Sequence, residues 1–205
     1  MWSYEKRLQY PVNITTPNAK LAEVIISQYG GPDGEMGASM RYLSQRYGVP
    51  YPEIAAVLTD IGTEELAHLE MVAAIVHQLT KNLSMEEIEN SGFKAYYVDH
   101  TIGIWPQAAG GIPFNACEFQ SKGDLITDLF EDMAAEQKAR TTYDNILRLI
   151  KDPEVCDPIR FLRQREVVHF QRFGEALRLL QEKLDPKNFY ICNPEFDSNC
   201  GCNCK

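Results

Sequence analysis

The chain has 205 residues and a formal net charge of −9, with 44% hydrophobic and 24% charged residues. This length suits one domain whose core can fold without disulfides. The acidic balance argues against non-specific nucleic-acid binding, because a phosphate backbone attracts a basic surface. The sequence contains no apolar stretch as long as a membrane span or a signal peptide. We therefore expect synthesis in the cytosol, with neither membrane nor nucleic acid as a partner.

Helical periodicity governs the first half of the chain. A first segment over residues 18–47 is interrupted by a Gly-Gly-Pro sequence at positions 30–32, where a kink or a restart is expected. The second, opened by two prolines, covers residues 50–81. A short acidic helix over residues 84–90 follows a Ser-x-x-Glu capping box.

The second half repeats this arrangement after a long connection. Residues 92–120 are rich in glycine, proline and aromatic residues, and helices are predicted over 123–150 and 153–184. Two helical hairpins joined by a long crossover are the ferritin-like form of the four-helix bundle. We therefore predict an all-α, ferritin-like domain over residues 1–185 and an irregular tail over 186–205.

The six cysteines are unevenly placed. Two are isolated in the body of the chain, and four lie within the last fourteen residues: Cys117 and Cys156, then Cys192, Cys200, Cys202 and Cys204. A disulfide-stapled fold would spread its cysteines through the core. The cysteine-rich tail is open to three interpretations: a disordered end, a segment that cross-links an assembly, and a soft-metal site.

Charged residues interrupt the apolar stripes of the predicted helices in a duplicated pattern. The second and fourth helices each carry Glu-x-x-His, as Glu65 with His68 and as Glu166 with His169. A further glutamate lies 30 residues before each motif, on the inward faces of the first and third helices: Glu35 and Glu136. A single Glu-x-x-His is weak evidence for a metal site, whereas two such halves with equal spacing indicate one strongly.

Four carboxylates and two imidazoles inside a bundle need compensating charge, because burying an unpaired charge costs several kcal/mol. Two divalent cations would balance the four negative charges, and carboxylates can bridge two such ions. This spacing is compatible with a ferroxidase, an oxygen-activating di-iron enzyme, a peroxidase and a catalase. The remaining histidines are expected elsewhere, with His77 facing solvent or a neighbour and His100 in the crossover.

Four stretches resemble the manganese catalases. They are Gly-Glu at 34–35, Tyr-Leu-Ser-Gln at 42–45, Gly-Thr-Glu-Glu-Leu-Ala-His-Leu-Glu-Met at 62–71 and Arg-Glu-Val-Val-His at 165–169. The resemblance covers about residues 1–185, and the third stretch is quite specific. The short length and the cysteine-rich end further resemble the CotJC branch, a spore-coat component of spore-forming bacteria.

The resemblance implies two manganese ions per chain, with iron as the alternative, and disproportionation of hydrogen peroxide to water and oxygen. It implies that Glu35 and His68 ligate one ion, that Glu136 and His169 ligate the other, and that Glu65 bridges them. For Glu166 it favours a proton acceptor and donor over a second bridging ligand. Tyr42 corresponds to a tyrosine that hydrogen-bonds the first glutamate, Glu35, with an ordinary core tyrosine as the alternative.

The chain departs from this family in two places. Some relatives have an arginine immediately before the third glutamate, where this chain has Ala135, and larger relatives have a long C-terminal extension. The resemblance implies a homo-oligomer such as a hexamer, with other spore-coat proteins as partners. Without the extension, the hexamer is the weaker of these expectations. Two alternative functions remain: a di-iron oxidase or peroxidase, and a structural coat protein that keeps the metal site.

Overall fold

The computed structural model describes residues 5, 7–118 and 120–184. Eight α-helices cover most of them: α1 Ala19–Ile25, α2 Ser27–Gly30, α3 Glu35–Gln45, α4 Pro52–Thr80, α5 Met85–Glu89, α6 Lys94–His100, α7 Leu125–Leu149 and α8 Pro153–Lys183. Within the described ranges there is no strand, only one isolated β-bridge between Gln107 and Pro113. None of the described helices combines the length and apolarity that crossing a bilayer requires.

Short side chains and prolines set where the long helices begin. Asp124 accepts a hydrogen bond from the backbone N–H of Thr127 at the start of α7, and Asp152 does the same for α8. Proline occupies the first turn of both α4 and α8, where its missing N–H costs nothing. Helix α3 packs along α4, and α7 packs along α8. The result is two hairpins, as the sequence predicts.

The first predicted helical segment is divided into α1, α2 and α3, and the break lies at the predicted Gly-Gly-Pro sequence. Close packing explains the glycine at position 30. A Cβ atom there would lie 2.4 Å from the backbone of Pro106 and Gln107 in the crossover. The chain restarts as a helix at Glu35, so this glutamate occupies the first turn of α3.

The crossover contains more regular structure than the sequence suggests. Helix α6 and a 3₁₀ turn at Ala116–Glu118 lie within the stretch of residues 92–120 that is predicted as a long connection. Phe93 and Tyr96 stack on each other and are buried against the bundle, and the Tyr96 hydroxyl donates to the carbonyl of Gly103 at 2.5 Å. These contacts hold the crossover against α1 and α4.

Two apolar clusters fill the bundle, one on each side of a polar layer. One cluster includes Ile25, Ile75 and Leu162, and the other includes Ile54, Leu129 and Phe173. The polar layer between them contains the predicted site residues. The ferritin-like bundle is confirmed, whereas the predicted domain limit at residue 185 and the cysteine-rich tail lie outside the described residues.

Candidate metal centre

Four helices bring the six duplicated side chains together in the polar layer. Each of these side chains is at most 1% exposed: Glu35 on α3, Glu65 and His68 on α4, Glu136 on α7, and Glu166 and His169 on α8. Their helices form the walls of the bundle, so the six groups face one another across its centre. The predicted convergence is present in full.

Glu65 lies at the centre of this group. Its Oε2 atom is 2.7 Å from Nδ1 of His68, and its Oε1 atom is 2.7 Å from Nδ1 of His169. The two imidazole rings stack with their centroids 5.4 Å apart. A single carboxylate thus meets the same nitrogen of both histidines, one oxygen to each.

The other carboxylates surround this centre. Oε2 of Glu35 is 3.8 Å from Nδ1 of His68, and Oε2 of Glu136 is 3.5 Å from Nδ1 of His169. Glu166 completes a group with Glu65, His68 and His169, in which one donor atom from each residue lies within 4.8 Å of all the others. Each imidazole therefore has its own terminal carboxylate in addition to the shared one.

Two buried tyrosines hydrogen-bond the terminal carboxylates crosswise. The Tyr42 hydroxyl donates to Oε1 of Glu136 at 2.5 Å, and the Tyr143 hydroxyl donates to Oε1 of Glu35. The expected partner of Tyr42 was Glu35, so that prediction is wrong. Each tyrosine lies seven residues, about two turns, after the glutamate of its own helix. The crosswise hydrogen bonds therefore require that α3 and α7 run in opposite directions.

Tyr143 was missed as a site residue, although the sequence contains a signal for it. Tyr42 lies seven residues after Glu35, and Tyr143 lies seven residues after Glu136. The halves are related by an offset of 101 residues, which also relates the two Glu-x-x-His motifs. Applying that offset to Tyr42 would have identified the second tyrosine.

The carboxylates differ strongly in their protonation. Burial, followed by the charge of Glu65, raises the pKa of Glu35 and of Glu136; burial, followed by the charges of Glu35 and Glu136, raises that of Glu166. For Glu65 burial acts in the same direction, but the charges of His169 and His68 outweigh it and lower its pKa well below the usual range. Glu65 is thus the carboxylate that stays ionised.

The two histidines have raised pKa values. Burial alone would lower them, but the negative charge of Glu65 overcomes this effect and raises the pKa of His68 to about 9 and that of His169 to about 12. Without a bound cation, protons on the imidazoles and on the surrounding carboxyls therefore balance the charge of this cluster. A divalent ion binding there would have to displace those protons.

The residues fit a pair of divalent cations. Several buried polar atoms of the cluster make no aligned hydrogen bond among the described residues, although Oε1 of Glu65 and Nδ1 of His169 lie only 2.7 Å apart: Oε1 of Glu65, Nε2 of His68, Oε2 of Glu136, Oε1 of Glu166 and Nδ1 of His169. Buried polar groups without partners are costly, and bound cations would satisfy the carboxylate oxygens and Nδ1. Carboxylate oxygens with one imidazole nitrogen per ion suit manganese or iron.

A small cavity of about 10 Å³ reaches the cluster between α3 and α7. Its lining includes Asp33, Arg41, Ala135, Glu136 and Glu166. Arg41 is buried, and its Nε and Nη1 atoms have no hydrogen-bond partner among the described residues. The cavity is thus lined by the buried guanidinium of Arg41, although position 135, where some relatives have an arginine, is alanine.

The two other histidines do not join the cluster. His77 is exposed near the end of α4, as predicted. His100 ends α6 and stacks on Trp105 with ring centroids 4.8 Å apart. Both therefore have ordinary surface or packing roles.

Known proteins with a similar sequence or structure point to one family. The sequence profile described as "Manganese containing catalase" matches residues 1–191. Protein CotJC of Bacillus subtilis (strain 168) is 50% identical over 190 residues, which is 93% of this chain and 100% of CotJC. A probable manganese catalase of Clostridium acetobutylicum is 33% identical over 193 residues, covering 93% of this chain and 86% of that protein.

A solved structure agrees with these sequence matches. The crystal structure of KatB, a manganese catalase from Anabaena PCC7120, superposes with a TM-score of 0.82 at 32% sequence identity, over 91% of this chain and 84% of KatB. Both the bundle and the sequence are therefore shared with proteins named as manganese catalases. With a profile that covers most of its length and relatives at 50% and 33% identity, this chain belongs to the manganese catalase family.

Proposed function

We propose that this protein is a dimanganese catalase, which converts two molecules of hydrogen peroxide into two of water and one of oxygen. The observation that carries the proposal is the position of Glu65, whose two oxygens each lie 2.7 Å from Nδ1 of a different histidine. A carboxylate between two imidazoles is the arrangement that bridges a pair of metal ions. Membership of the manganese catalase family supports manganese as the metal.

In this proposal each ion has its own pair of terminal ligands. Glu35 and His68 would hold one manganese, Glu136 and His169 would hold the other, and both ions would share Glu65. Tyr143 and Tyr42 fix the terminal carboxylates by donating to Oε1 of Glu35 and of Glu136. In each case Oε2 is the oxygen nearer to the imidazole, so the hydrogen bond leaves it available as a ligand.

Bound manganese would supply the redox chemistry, accepting two electrons from one peroxide, which leaves as oxygen, and giving two electrons to another, which leaves as water. Protons must move at the same place, and Glu166 is the group placed to move them. In the metal-free protein, burial and three neighbouring carboxylates raise the pKa of Glu166, which favours its protonated form. We assign it the role of proton acceptor and donor.

The surrounding protein keeps water away from this chemistry. The six side chains are at most 1% exposed, and apolar clusters close the bundle on both sides. The small cavity beside Ala135 reaches Glu136 and Glu166, so it is the candidate route for peroxide. A dry, narrow site restricts oxidation of nearby groups during turnover.

The cellular setting forms a separate part of the proposal. The 50% identity to protein CotJC, over the full length of that protein, supports a spore-coat component. We propose that the chain is made in the cytosol, assembles as a homo-oligomer and joins other spore-coat proteins.

Metal analysis coupled to an oxygen-release assay tests the enzymatic proposal. The purified protein should contain about two manganese ions per chain and should release oxygen from hydrogen peroxide. Iron in place of manganese would favour a di-iron oxidase or peroxidase. A full complement of metal without oxygen release would favour a structural coat protein that retains the site.

A further inference from the structure

We infer that Glu64 is a positioning residue of the metal centre, hydrogen-bonded to His169 and adjacent to His68. Oε2 of Glu64 is 3.0 Å from Nε2 of His169, and Oε1 of Glu64 is 3.6 Å from Nε2 of His68. One carboxylate thus faces the outer nitrogen of both imidazoles. The inference rests on the proposed function in one respect, since it treats the two imidazoles as metal ligands.

The orientation of the imidazole rings determines which nitrogen faces Glu64. Nδ1 of each imidazole faces Glu65, at 2.7 Å in both cases, so Nε2 is the nitrogen left to carry a proton. A carboxylate that accepts this proton fixes the tautomer and the ring plane, and it increases the electron donation of Nδ1. Glu64 does this for His169 at 3.0 Å, and its second oxygen lies 3.6 Å from the same nitrogen of His68, beyond a hydrogen bond.

Glu64 is itself held from the side away from the metal centre. Arg165 places Nε 2.7 Å from Oε1 and Nη2 3.0 Å from Oε2, and the amide of Gln9 donates to Oε1 at 2.6 Å. The glutamate side chain is only 15% exposed under this cover. These contacts fix the carboxylate and balance its charge, so it can act as a rigid acceptor.

The internal duplication explains why one carboxylate lies between the outer nitrogens of two histidines. The offset of 101 residues that relates His68 to His169 also relates Glu64 to Arg165. The two equivalent positions therefore meet across the bundle, where two glutamates would repel each other. One half supplies the acceptor and the other half supplies its counter-charge.

The first experiment compares Glu64→Gln with Asp60→Asn. Asp60 lies one turn earlier on α4, is mostly exposed and forms an ion pair with Arg172 on α8. Asp60→Asn therefore removes the same negative charge and a similar contact between α4 and α8, but at a position away from the imidazoles. Metal-free wild type and both variants are titrated with manganese chloride against a competing chelator. We expect about 10- to 100-fold weaker manganese binding and an altered electron paramagnetic resonance spectrum in Glu64→Gln alone.

The second experiment exchanges the two equivalent residues. Glu64→Arg alone should lose manganese affinity strongly, and adding Arg165→Glu should restore most of it by placing the acceptor at the equivalent position. Denaturant unfolding of each variant identifies any that are misfolded.

Three outcomes would overturn the inference: unchanged manganese binding in Glu64→Gln, an equal loss in Asp60→Asn, or no recovery in the folded double variant. Failure of the proposed function is distinguishable from these outcomes, because it would appear in the wild-type protein itself, as a missing manganese pair or as absent oxygen release, and not as a difference in manganese affinity between the variants and the wild type.

Discussion

Glu65 contacts both imidazoles, so its removal should be the most damaging single change in the site. In Glu65→Ala we expect no oxygen release and a manganese content well below two ions per chain, because the bridging carboxylate and its negative charge are both lost. Elemental analysis and an oxygen electrode measure the two effects. Glu86→Ala on the exposed face of α5 is the control and should behave like the wild type. Normal turnover in Glu65→Ala would refute the bridging role.

Glu166→Gln separates proton transfer from metal ligation. Glutamine has nearly the same shape as glutamate but cannot exchange a proton at this position. We expect the variant to retain both manganese ions and to lose about 100-fold or more in turnover, within the usual range for general acid–base catalysis. Metal content and turnover are measured on the same sample. A loss of manganese comparable to that in Glu65→Ala would instead identify Glu166 as a ligand.

The sequence predicted the inward-facing carboxylates and imidazoles because their spacing interrupts apolar stripes, which is a local signal. It gave the wrong partner for Tyr42 and did not assign Tyr143 or Glu64 to the site. Those contacts depend on which helices lie opposite each other and in which direction they run. Such information comes from packing between the halves, and only the repeated offset of 101 residues hints at it.

At the level of helices, α3 and α4 pack tightly against each other at Gly62. A Cβ atom at this position would lie 2.8 Å from Cγ of Leu43 and 3.2 Å from its backbone nitrogen. Gly62→Ala should therefore force the two helices apart next to Glu65 and destabilise the protein by about 1–3 kcal/mol, the usual cost of overpacking. Denaturant unfolding measures this change. Gly48→Ala is the matched control, since a Cβ there meets nothing within 4 Å.

Whether a helix could be predicted from the sequence depends on whether nearby residues determine where it begins and ends. The break before Glu35 was predictable because the Gly-Gly-Pro sequence disfavours a continuous helix. Helix α6 was not predicted, since its seven residues lie between glycines and carry no long periodicity. It is stabilised by Phe93 and Tyr96, which are buried against the bundle, and such tertiary contacts are not visible in a short segment.

For the molecule as a whole, the shifted pKa values predict how pH acts on the metal-free protein. The folded pKa of His68, about 9, exceeds its ordinary value of 6.5, so its stabilising contribution is complete below pH 6.5 and is lost as the pH rises through 9. The raised pKa of Glu166 acts with the same sign. Because the pKa of Glu65 is lowered, this carboxylate stabilises the folded protein fully above its ordinary pKa of 4.5. Its contribution to stability is therefore constant between pH 6.5 and 9.5. The free energy of unfolding should therefore fall between pH 6.5 and 9.5.

Manganese binding should reverse this dependence, because a ligating imidazole cannot keep its Nδ1 proton. We expect binding to release protons, and the stabilisation conferred by manganese to increase from pH 6.5 to pH 9.5. Calorimetric titrations in buffers with different ionisation enthalpies count the protons, and denaturant unfolding with and without manganese gives the stability difference. A metal-free protein whose stability rises over this interval would contradict the assignment of charges in the cluster.

The crosswise tyrosines make each hairpin incomplete without the other. The hydroxyl that orients Glu35 belongs to α7, and the hydroxyl that orients Glu136 belongs to α3. A fragment ending within the crossover would keep one terminal carboxylate and lose the donor that aims it, whichever half it contained. Two such fragments could regain both donors only by pairing, in the way that an isologous dimer of two hairpins would. The crossover therefore keeps the two hairpins together in one chain, whereas separate hairpins would have to meet by diffusion.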